Sequence, residues 1–292
     1  MAHKSGFVNI LGNPNVGKST LMNALVGEKL SIVTPKAQTT RHRIMGIVSG
    51  EDFQIVYSDT PGILRPQYKL QESMMGFVNS ALSDADLILY ITDVTEKDAH
   101  QNEYVARIKE AGVQVIVAIN KIDLSNQAAL ESMVEKWKSV FPGSPVIPIS
   151  ALNDFNLKSL LNTIIEKLPE GPAYFPKDQL TDKWERFFAA EIVREKILVN
   201  YQKEIPYSVE IEIESFHDEG RILRISAIIH VARESQKGII IGHKGSMLKK
   251  VGTEARIEME EFFRKKVFLE LHVKITKDWR EKPIVLKRFG YQ

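Results

Sequence analysis

The sequence of 292 residues contains no cysteine. This absence excludes a disulfide framework, a zinc–thiolate centre and a thiol nucleophile. Hydrophobic residues make up 43% of the chain, which is enough to build cores without covalent cross-links. We therefore expect a protein of a reducing compartment, the cytoplasm.

Long apolar runs are also missing, because no stretch approaches the roughly 18 consecutive apolar residues that a membrane-spanning helix needs. The segment MAHKSGFVNI at the start of the sequence lacks the layout of a signal peptide. Contact with the inner membrane would therefore be peripheral and weak. Nothing in the pattern indicates an oligomer, and we expect a monomer.

The formal net charge of +2 conceals an uneven distribution. Residues 220–292 contain 17 Lys and Arg against 8 Asp and Glu, a balance of +9. Such a basic segment favours a polyanionic partner. A solvated basic face would give the same count, so charge alone leaves both interpretations open.

The octapeptide GNPNVGKS at residues 12–19 fills every fixed position of the phosphate-binding loop G-x-x-x-x-G-K-[ST]. Its glycines let backbone N–H groups surround phosphate oxygens, and the following helix directs its positive end at the anion. In this pattern the lysine reaches the β- and γ-phosphates, and the serine hydroxyl binds Mg²⁺. The predicted phosphate-binding residues are Gly12, Asn13, Pro14, Asn15, Val16, Gly17, Lys18, Ser19 and Thr20.

Short apolar runs alternate with helical patterns over the first part of the chain. The runs are rich in Val and Ile and nearly continuous, as buried parallel strands are. This alternation predicts a doubly wound α/β domain over residues 1–168. The predicted strands lie at 7–11, 53–57, 87–92, 113–119 and 146–149, with an antiparallel edge strand at 44–49, and the predicted helices near 18–26, 70–82, 101–111, 127–140 and 156–168.

Residues 169–178, PEGPAYFPKD, contain three prolines and are predicted to be a semi-rigid linker. The remaining residues, 179–292, predict a smaller α+β domain with the element order α-β-β-α-α-β. Its predicted elements are a helix at 179–199 with an apolar stripe of Trp184, Phe187, Phe188, Val193 and Ile197, strands at 207–216, 222–231 and 267–275, helices at 236–241 and 246–263, and a helical tail.

Three further motifs, DTPG, NKID and SA, follow the phosphate-binding loop, each at the end of a predicted strand. In DTPG, Asp59 would hold Mg²⁺ through water, and the N–H of Gly62 would meet the γ-phosphate. Two threonines of QTTRHRI lie between the first helix and the edge strand, where one hydroxyl would bind Mg²⁺ while the γ-phosphate is present; we favour Thr40. The predicted switch residues are Thr39, Thr40, Asp59, Thr60, Pro61 and Gly62, and the predicted Mg²⁺ residues are Ser19, Thr40 and Asp59.

The motif NKID indicates which nucleotide base the site binds. The carboxylate of Asp123 can accept hydrogen bonds from N1–H and the 2-amino group of guanine, and adenine offers neither donor. The stem of Lys121 can cover the purine, and Asn120 can tie this loop to the phosphate-binding loop. A backbone N–H of the SA pair can meet guanine O6. The predicted guanine-binding residues are Asn120, Lys121, Asp123, Ser150 and Ala151.

In this order the motifs GNPNVGKS, QTTRHRI, DTPG, NKID and SA resemble those of a translation-factor-class GTPase, most closely the Era family. The resemblance covers almost the whole chain. It implies hydrolysis of GTP to GDP and phosphate, with Mg²⁺ as cofactor, and a role in assembly and maturation of the small (30S) ribosomal subunit.

The chain departs from the Ras-like pattern at Ile63, where many GTPases carry a glutamine that orients the attacking water. Isoleucine cannot orient water, so we expect slow intrinsic hydrolysis. In related GTPases an asparagine at the position of Asn15 helps to seat K⁺ beside the phosphates. Asn15 is therefore a candidate K⁺ residue, with shaping of the loop as the alternative.

The tetrapeptide GHKG is weak evidence by itself, but it lies between two predicted helices inside α-β-β-α-α-β. This is the layout of a bacterial-type KH domain, as the Era resemblance also implies. Such a turn lets a nucleic-acid backbone approach closely, beside a groove for unstacked bases that we expect near residues 239–241. The predicted RNA-binding residues are Ile241, Gly242, His243, Lys244, Gly245, Lys249 and Lys250, with Arg264, Lys265 and Lys266 as further basic positions.

The resemblance implies single-stranded RNA at the 3′ end of 16S ribosomal RNA as partner. Residues Trp279, Arg280, Lys287, Arg288 and Tyr291 of the tail either add to RNA binding or pack against the domain. The leading hypothesis is a GTP-gated RNA-binding switch in which ordered loops change how the domains dock. The alternatives are a trafficking or membrane-assembly GTPase with a lipid-docking basic tail, and a scaffold that binds GTP without turnover.

Overall fold

The computed structural model describes residues 2–96, 100 and 102–291. The chain divides into two compact units, of which the first comprises Met1–Pro66 and Met74–Asp182. The second comprises Gln67–Ser73 and Lys183–Gln292. Among the described residues, no helix combines the length and the apolar character needed to cross a bilayer.

A six-stranded sheet forms the centre of the first unit, in the order β2-β3-β1-β4-β5-β6. All neighbouring pairs are parallel except β2 with β3, which is antiparallel and lies at the edge. This confirms the predicted doubly wound fold. The strands are β1 (Lys4–Leu11), β2 (Ile44–Ser49), β3 (Phe53–Asp59), β4 (Leu87–Asp93), β5 (Gln114–Asn120) and β6 (Val146–Pro148).

Helices connect these strands and cover the sheet, and every residue of β4 is buried as a result. Burial on both faces explains why the strand sequences are continuous apolar runs without alternation. The helices are α1 (Lys18–Val26), α2 (Lys69–Ser83), α3 (Glu103–Ala111), α4 (Gln127–Val140) and α5 (Leu157–Lys167). Residue 101, where we expected α3 to start, lies outside the described residues.

The proline-rich segment after α5 is bound to the first unit rather than free. The buried carboxamide of Gln54 accepts hydrogen bonds from Tyr174 N (2.7 Å) and Phe175 N (2.9 Å) and donates to Phe175 O (2.8 Å). Further along, Ile47 N donates to Leu180 O, at 2.8 Å, on the outer edge of β2. The first unit therefore extends to Asp182, beyond the predicted linker at 169–178.

The second unit has the predicted order α-β-β-α-α-β. Strands β7 and β8 are antiparallel, and β8 and β9 are parallel. The three helices that precede the last strand pack on one face of this sheet, and alternate strand residues such as Ile211, Ile225 and Ile229 enter the core. The elements are α6 (Glu185–Asn200), β7 (Glu210–Asp218), β8 (Ile222–Val231), α7 (Glu234–Ile241), α8 (Ser246–Phe263), β9 (Lys266–Ile275) and α9 (Pro283–Arg288).

The first helix of this unit starts later than predicted, because residues 179–182 belong to the segment bound along β2. Trp184 precedes α6 and is 84% exposed, so its assignment to the apolar stripe was wrong. Phe188, Val193 and Ile197 of that stripe are buried as expected.

The C-terminal tail packs against β7. Trp279 is fully buried and donates from Nε1 to Ser208 O at 3.1 Å. Tyr291 is buried as well, and its hydroxyl donates to Glu210 Oε2 at 2.7 Å. Of the two interpretations of the tail, packing therefore holds for these two aromatic residues.

Candidate phosphate-binding site and candidate nucleic-acid groove

The phosphate-binding loop joins β1 to α1, and two of its glycines have no room for a side chain. Gly17 caps α1 with φ 100°, and a Cβ there would lie 2.2 Å from Asn120 Nδ2. A Cβ on Gly12 would lie 2.2 Å from Ile91 O. The glycines are therefore required both for backbone conformation and for the close approach of β4 and β5.

Lys18 is the first residue of α1 and only 6% exposed. Its ammonium donates to Gly12 O (3.0 Å) and Asn13 O (2.8 Å), which holds it inside the loop. Burial lowers the pKa of Lys18 to about 8, although the carboxylates of Asp59 and Glu96 act in the opposite direction. A cation is thus held where the motif places phosphate.

The three predicted Mg²⁺ residues converge. Ser19 Oγ donates to Asp59 Oδ2 at 2.7 Å and lies 2.9 Å from Thr40 Oγ1. Thr40 Oγ1 donates to the same carboxylate oxygen at 3.3 Å. Asp59 Oδ1 is buried and accepts no hydrogen bond from the described residues. Burial raises the pKa of Asp59. Two hydroxyls and a carboxylate with an unused oxygen form a donor set of the kind that Mg²⁺ prefers.

The other predicted switch residues make different contacts. Thr39 Oγ1 donates to Lys36 O at 2.6 Å and lies 2.6 Å from Thr34 Oγ1, so its hydroxyl closes a local turn. Thr60 Oγ1 donates to Ile10 O at 2.7 Å and thereby faces β1. Pro61 is buried next to it. Of the two threonines in QTTRHRI, Thr40 contacts Ser19 and Asp59.

Gly62 lies against the phosphate-binding loop, because a Cβ there would be 2.7 Å from Pro14 Cα. The next residue, Ile63, is only 7% exposed, and its N–H donates to Gly12 O at 3.1 Å. The isoleucine that replaces the usual glutamine is therefore packed beside the loop and presents no polar group.

Asn120 joins three of the motifs. Its Nδ2 donates to Val16 O at 2.8 Å, and its Oδ1 accepts from Ala151 N at 3.0 Å. Ser150 Oγ donates to Asp123 Oδ1 at 2.6 Å. The predicted guanine residues therefore lie together at the ends of β5 and β6.

Lys121 bridges this group to the phosphate-binding loop. Its ammonium donates to Asn15 O at 2.7 Å and pairs with Asp93 at 2.5 Å. Asn15 has φ 64° and donates from Nδ2 to Pro35 O at 3.2 Å. A cavity of about 390 Å³ opens between these parts, lined by Pro14, Asn15, Gly17, Lys18, Ser19, Thr20, Ile32, Val33, Thr34, Pro35, Lys36, Gln38, Thr39, Thr40, Gly62 and Lys121.

The second unit has a groove of about 400 Å³ between α8 and β9. Sequence reasoning expected it beside residues 239–241, but Ile240 is buried in the core and none of the three lines this groove. The spacing of three or four residues along α8 is the signal that could have located it. Its lining is Gly245, Leu248, Lys249, Gly252, Thr253, Arg256, Leu269 and Leu271.

The GHKG turn connects α7 to α8, and both of its glycines have positive φ. At Gly242 (φ 71°) a Cβ would lie 2.7 Å from Met247 Cγ. At Gly245 (φ 80°) there is open space, and this residue begins α8 at one end of the groove. His243 and Lys244 between them are exposed. The turn therefore presents backbone and two polar side chains to solvent.

The predicted basic residues divide into those that line the groove and those that lie outside its lining. Lys249 lines the groove, whereas Lys250 lies outside its lining and 3.9 Å from Glu254. Lys265 pairs with Asp218 at 2.5 Å, and Lys266 pairs with Glu260 at 3.4 Å. Arg256, which the sequence analysis missed, brings a further cation to the groove.

The fold and the two sites define the class: a P-loop GTPase domain followed by a KH domain. Comparisons agree, since a model described as "50S ribosome-binding GTPase" matches residues 7–121, and a KH-domain model matches residues 204–280. The GTPase Era of Syntrophus aciditrophicus is 46% identical over 292 residues, covering 99% of this chain and 95% of that protein. The Era of Geotalea daltonii is 47% identical over 294 residues, covering 99% and 98%.

A solved structure of Era in complex with MgGDPNP and nucleotides 1506–1542 of 16S ribosomal RNA matches with a TM-score of 0.95. It is 41% identical, and the match covers 99% of both chains. The chain belongs to the GTPase Era family. It is accordingly an enzyme that hydrolyses GTP, with a C-terminal KH domain.

Proposed function

We propose that this chain is a GTP-gated RNA-binding switch that acts in assembly of the small ribosomal subunit. The observation that carries the proposal is the presence, in one chain, of a nucleotide site next to a switch threonine and of a KH groove with its glycine turn. The related Era structure that contains a 16S ribosomal RNA fragment supports the same partner class here. The 30S subunit as a whole is the proposed assembly partner.

In the nucleotide site, Ser19 and Thr40 would hold Mg²⁺ directly and Asp59 through water. The ion, when bound, neutralises charge on the β- and γ-phosphates. Lys18 contributes its ammonium to the same oxygens, and the loop N–H groups surround them. Asp123 selects guanine, while Asn120 holds the base-binding loop against the phosphate-binding loop.

At position 63 this site has no side chain that could orient the attacking water for hydrolysis. The buried Ile63 excludes solvent from that side, so we expect a slow intrinsic rate. Thr40 is the residue that would sense the γ-phosphate, because its hydroxyl already lies against the Mg²⁺ residues. Loss of the γ-phosphate would release this loop.

K⁺ is the proposed aid to hydrolysis. Asn15 commits Nδ2 to Pro35 O, and its amide oxygen is left as an acceptor beside the cavity. The ion would offset negative charge that develops on the phosphates. Faster turnover in K⁺ than in Na⁺, lost in Asn15→Ala, is expected. Equal rates in both ions for both proteins would contradict this role.

On the RNA side, Gly242 and Gly245 would let the RNA backbone approach, while His243, Lys244 and Lys249 contact phosphates. The apolar floor of the groove, with Leu269 and Leu271, would accept unstacked bases. Lys250 and Ile241, the half-buried last residue of α7, contribute from outside the groove.

The experiment is a titration of a single-stranded RNA ending in the 3′ sequence of 16S ribosomal RNA, with MgGDPNP, MgGDP or no nucleotide. We expect affinities that differ between the nucleotide states and that Gly245→Asp abolishes. Gly220→Asp is the matched control, since Gly220 also has positive φ and open space but lies in the β7–β8 turn. Identical RNA affinity in all three states would refute gating.

The alternative is a lipid-docking GTPase, a peripheral protein of the inner membrane, for which the basic C-terminal third is the only support. It predicts binding to anionic vesicles that Gly245→Asp leaves intact. RNA binding without vesicle binding would support the proposed location in the cytoplasm. The proposed oligomeric state is a monomer.

A further inference from the structure

Asn13, the second residue of the phosphate-binding loop, ties that loop to the segment after β4. Its Nδ2 donates to Glu96 Oε1 at 2.7 Å, and its Oδ1 accepts from Asn102 Nδ2 at 2.7 Å. Asn102 in turn caps α3, since its Oδ1 accepts from Tyr104 N at 2.9 Å. Both ends of the Asn13 amide are therefore bound to this one segment.

Glu96 is held from two sides. One carboxylate oxygen accepts from Asn13, and the other accepts from Thr92 Oγ1 at 2.7 Å. Thr92 lies in β4 and is fully buried. Hydrogen bonds to a carboxylate are about twice as strong as neutral ones, so the group is firmly fixed relative to the sheet.

The same asparagine also holds the essential lysine. Asn13 O accepts from Lys18 Nζ at 2.8 Å. Glu96 is therefore linked to Lys18 through Asn13, whose side chain donates to Glu96 and whose backbone carbonyl accepts from the ammonium.

We propose that Glu96 is a positioning residue for the GTPase reaction: acting through Asn13, it holds the Lys18 ammonium in line with the β- and γ-phosphates. Glu96 belongs to none of the nucleotide-binding motifs, and Asn13 occupies a variable position of its own motif. In the described structure this carboxylate accepts from Asn13 and Thr92, and Asn13 in turn contacts Asn102 and Lys18.

The first test compares Glu96→Gln and Asn13→Ala with the unaltered protein, by the dissociation rate of a fluorescent GDP and by kcat and KM for GTP. We expect dissociation to be roughly 10-fold faster in both variants, because each loses a hydrogen bond to a charged group. The double variant should be no worse than the more affected single variant. Glu103→Gln is the matched control, with the same change of charge on the exposed first turn of α3.

The second test repeats Glu96→Gln in a Lys18→Ala background, with affinity measured by equilibrium titration of the same fluorescent GDP. If Glu96 acts through Lys18, the substitution has little further effect there. An equal loss of affinity in both backgrounds, or the same behaviour of Glu96→Gln and Glu103→Gln, would overturn the proposal. The assay contains no RNA, so its outcome is independent of the proposed RNA switch.

Discussion

The roles of individual residues in this chain depend on how close their neighbours come. Gly17 and Gly27 flank the same helix and both have positive φ, at 100° and 81°. A Cβ on Gly17 would collide with Asn120 Nδ2 at 2.2 Å, whereas nothing lies within 4 Å of a Cβ on Gly27. A side chain would therefore strain the backbone at both positions, but only at Gly17 would it also collide with a neighbouring residue.

We predict that Gly17→Ala abolishes measurable nucleotide binding, because it forces Asn120 away from the phosphate-binding loop. Gly27→Ala should bind nucleotide normally and lose about 1–2 kcal/mol of stability from its left-handed backbone conformation. Fluorescent GDP titration and urea unfolding measure the two effects. Equal nucleotide affinity in the two variants would contradict the steric argument.

Asp123 offers the second prediction at this scale. Asp123→Asn replaces one acceptor oxygen by a donor, so it should weaken GTP binding by about 100-fold or more, because a donor of the site then faces a donor of guanine. Xanthine carries a carbonyl in place of the 2-amino group of guanine, so XTP affinity should rise in the variant. Competition of GTP, XTP and ATP against fluorescent GDP measures the change, and ATP should remain a poor competitor throughout.

At the scale of elements, the segment 169–182 acts as a further edge component of the first sheet. Gln54 lies in the interior strand β3, and its carboxamide satisfies the N–H groups of Tyr174 and Phe175 and one carbonyl. Further along, Leu180 O accepts from Ile47 N and so covers part of the edge strand β2, which would otherwise expose unpaired groups.

Gln54→Leu keeps the volume of the side chain and removes these bonds. We expect a loss of about 1–3 kcal/mol in unfolding free energy, the cost of leaving buried polar groups unpaired. The amides of residues 174 and 175 should also exchange faster with deuterium. Lys177→Ala, which removes exposed bonds to Gly50 O and Glu51 O, is the control and should change stability little.

The C-terminal tail covers a titratable residue of β8, His230, on the side of the second sheet away from the core. His230 is buried between Glu212 (Nε2 to Oε2, 2.9 Å) and Thr276 (Nδ1 to Oγ1, 2.8 Å), with Phe289 packed on its ring. Burial lowers the pKa of His230, and the charges of Arg288 and Lys274 act in the same direction, against Glu212.

Because the folded pKa lies below the unfolded value of 6.5, the unfolded chain binds more protons on acidification. Stability should therefore fall as pH drops through about 6.5, with a slope of at most about 1.4 kcal/mol per pH unit for this one proton. His230→Gln should reduce that slope. Urea unfolding at pH 7.5, 6.5 and 5.5 measures it, and an unchanged slope in the variant would rule out His230 as the source.

At the scale of the whole molecule, nucleotide binding should affect the stability of the two units differently. MgGDP at about 100 times its Kd should stabilise the first unit by about 2.7 kcal/mol. Removal of Mg²⁺ with EDTA should reduce this gain, because Ser19 and Asp59 lose the ion that they would share with the phosphates of GDP. Differential scanning calorimetry of the full chain measures it, and Gly245→Asp in the second unit should leave the shift unchanged.

Much of this fold was predictable, because it follows from local patterns in the sequence. The continuous Val- and Ile-rich runs located the strands of the first sheet, and α8 and β8 have their predicted bounds at 246–263 and 222–231. The start of α6 was missed, because residues 179–182 pair with an edge strand that lies far away in the sequence. Trp184 was misplaced for the same reason.

The amino-acid sequence determined the ligand class and the order of the elements, since a phosphate-binding loop, a guanine-selecting carboxylate and a strand period are all local patterns. Only the tertiary structure decided that Asn13 contacts both Glu96 and Lys18, that α8 and β9 line the groove, and that Gln54 binds residues 174 and 175. These relations join residues separated by many positions. Hydrogen bonds of that kind depend on distances set by packing and leave no periodic trace in the chain.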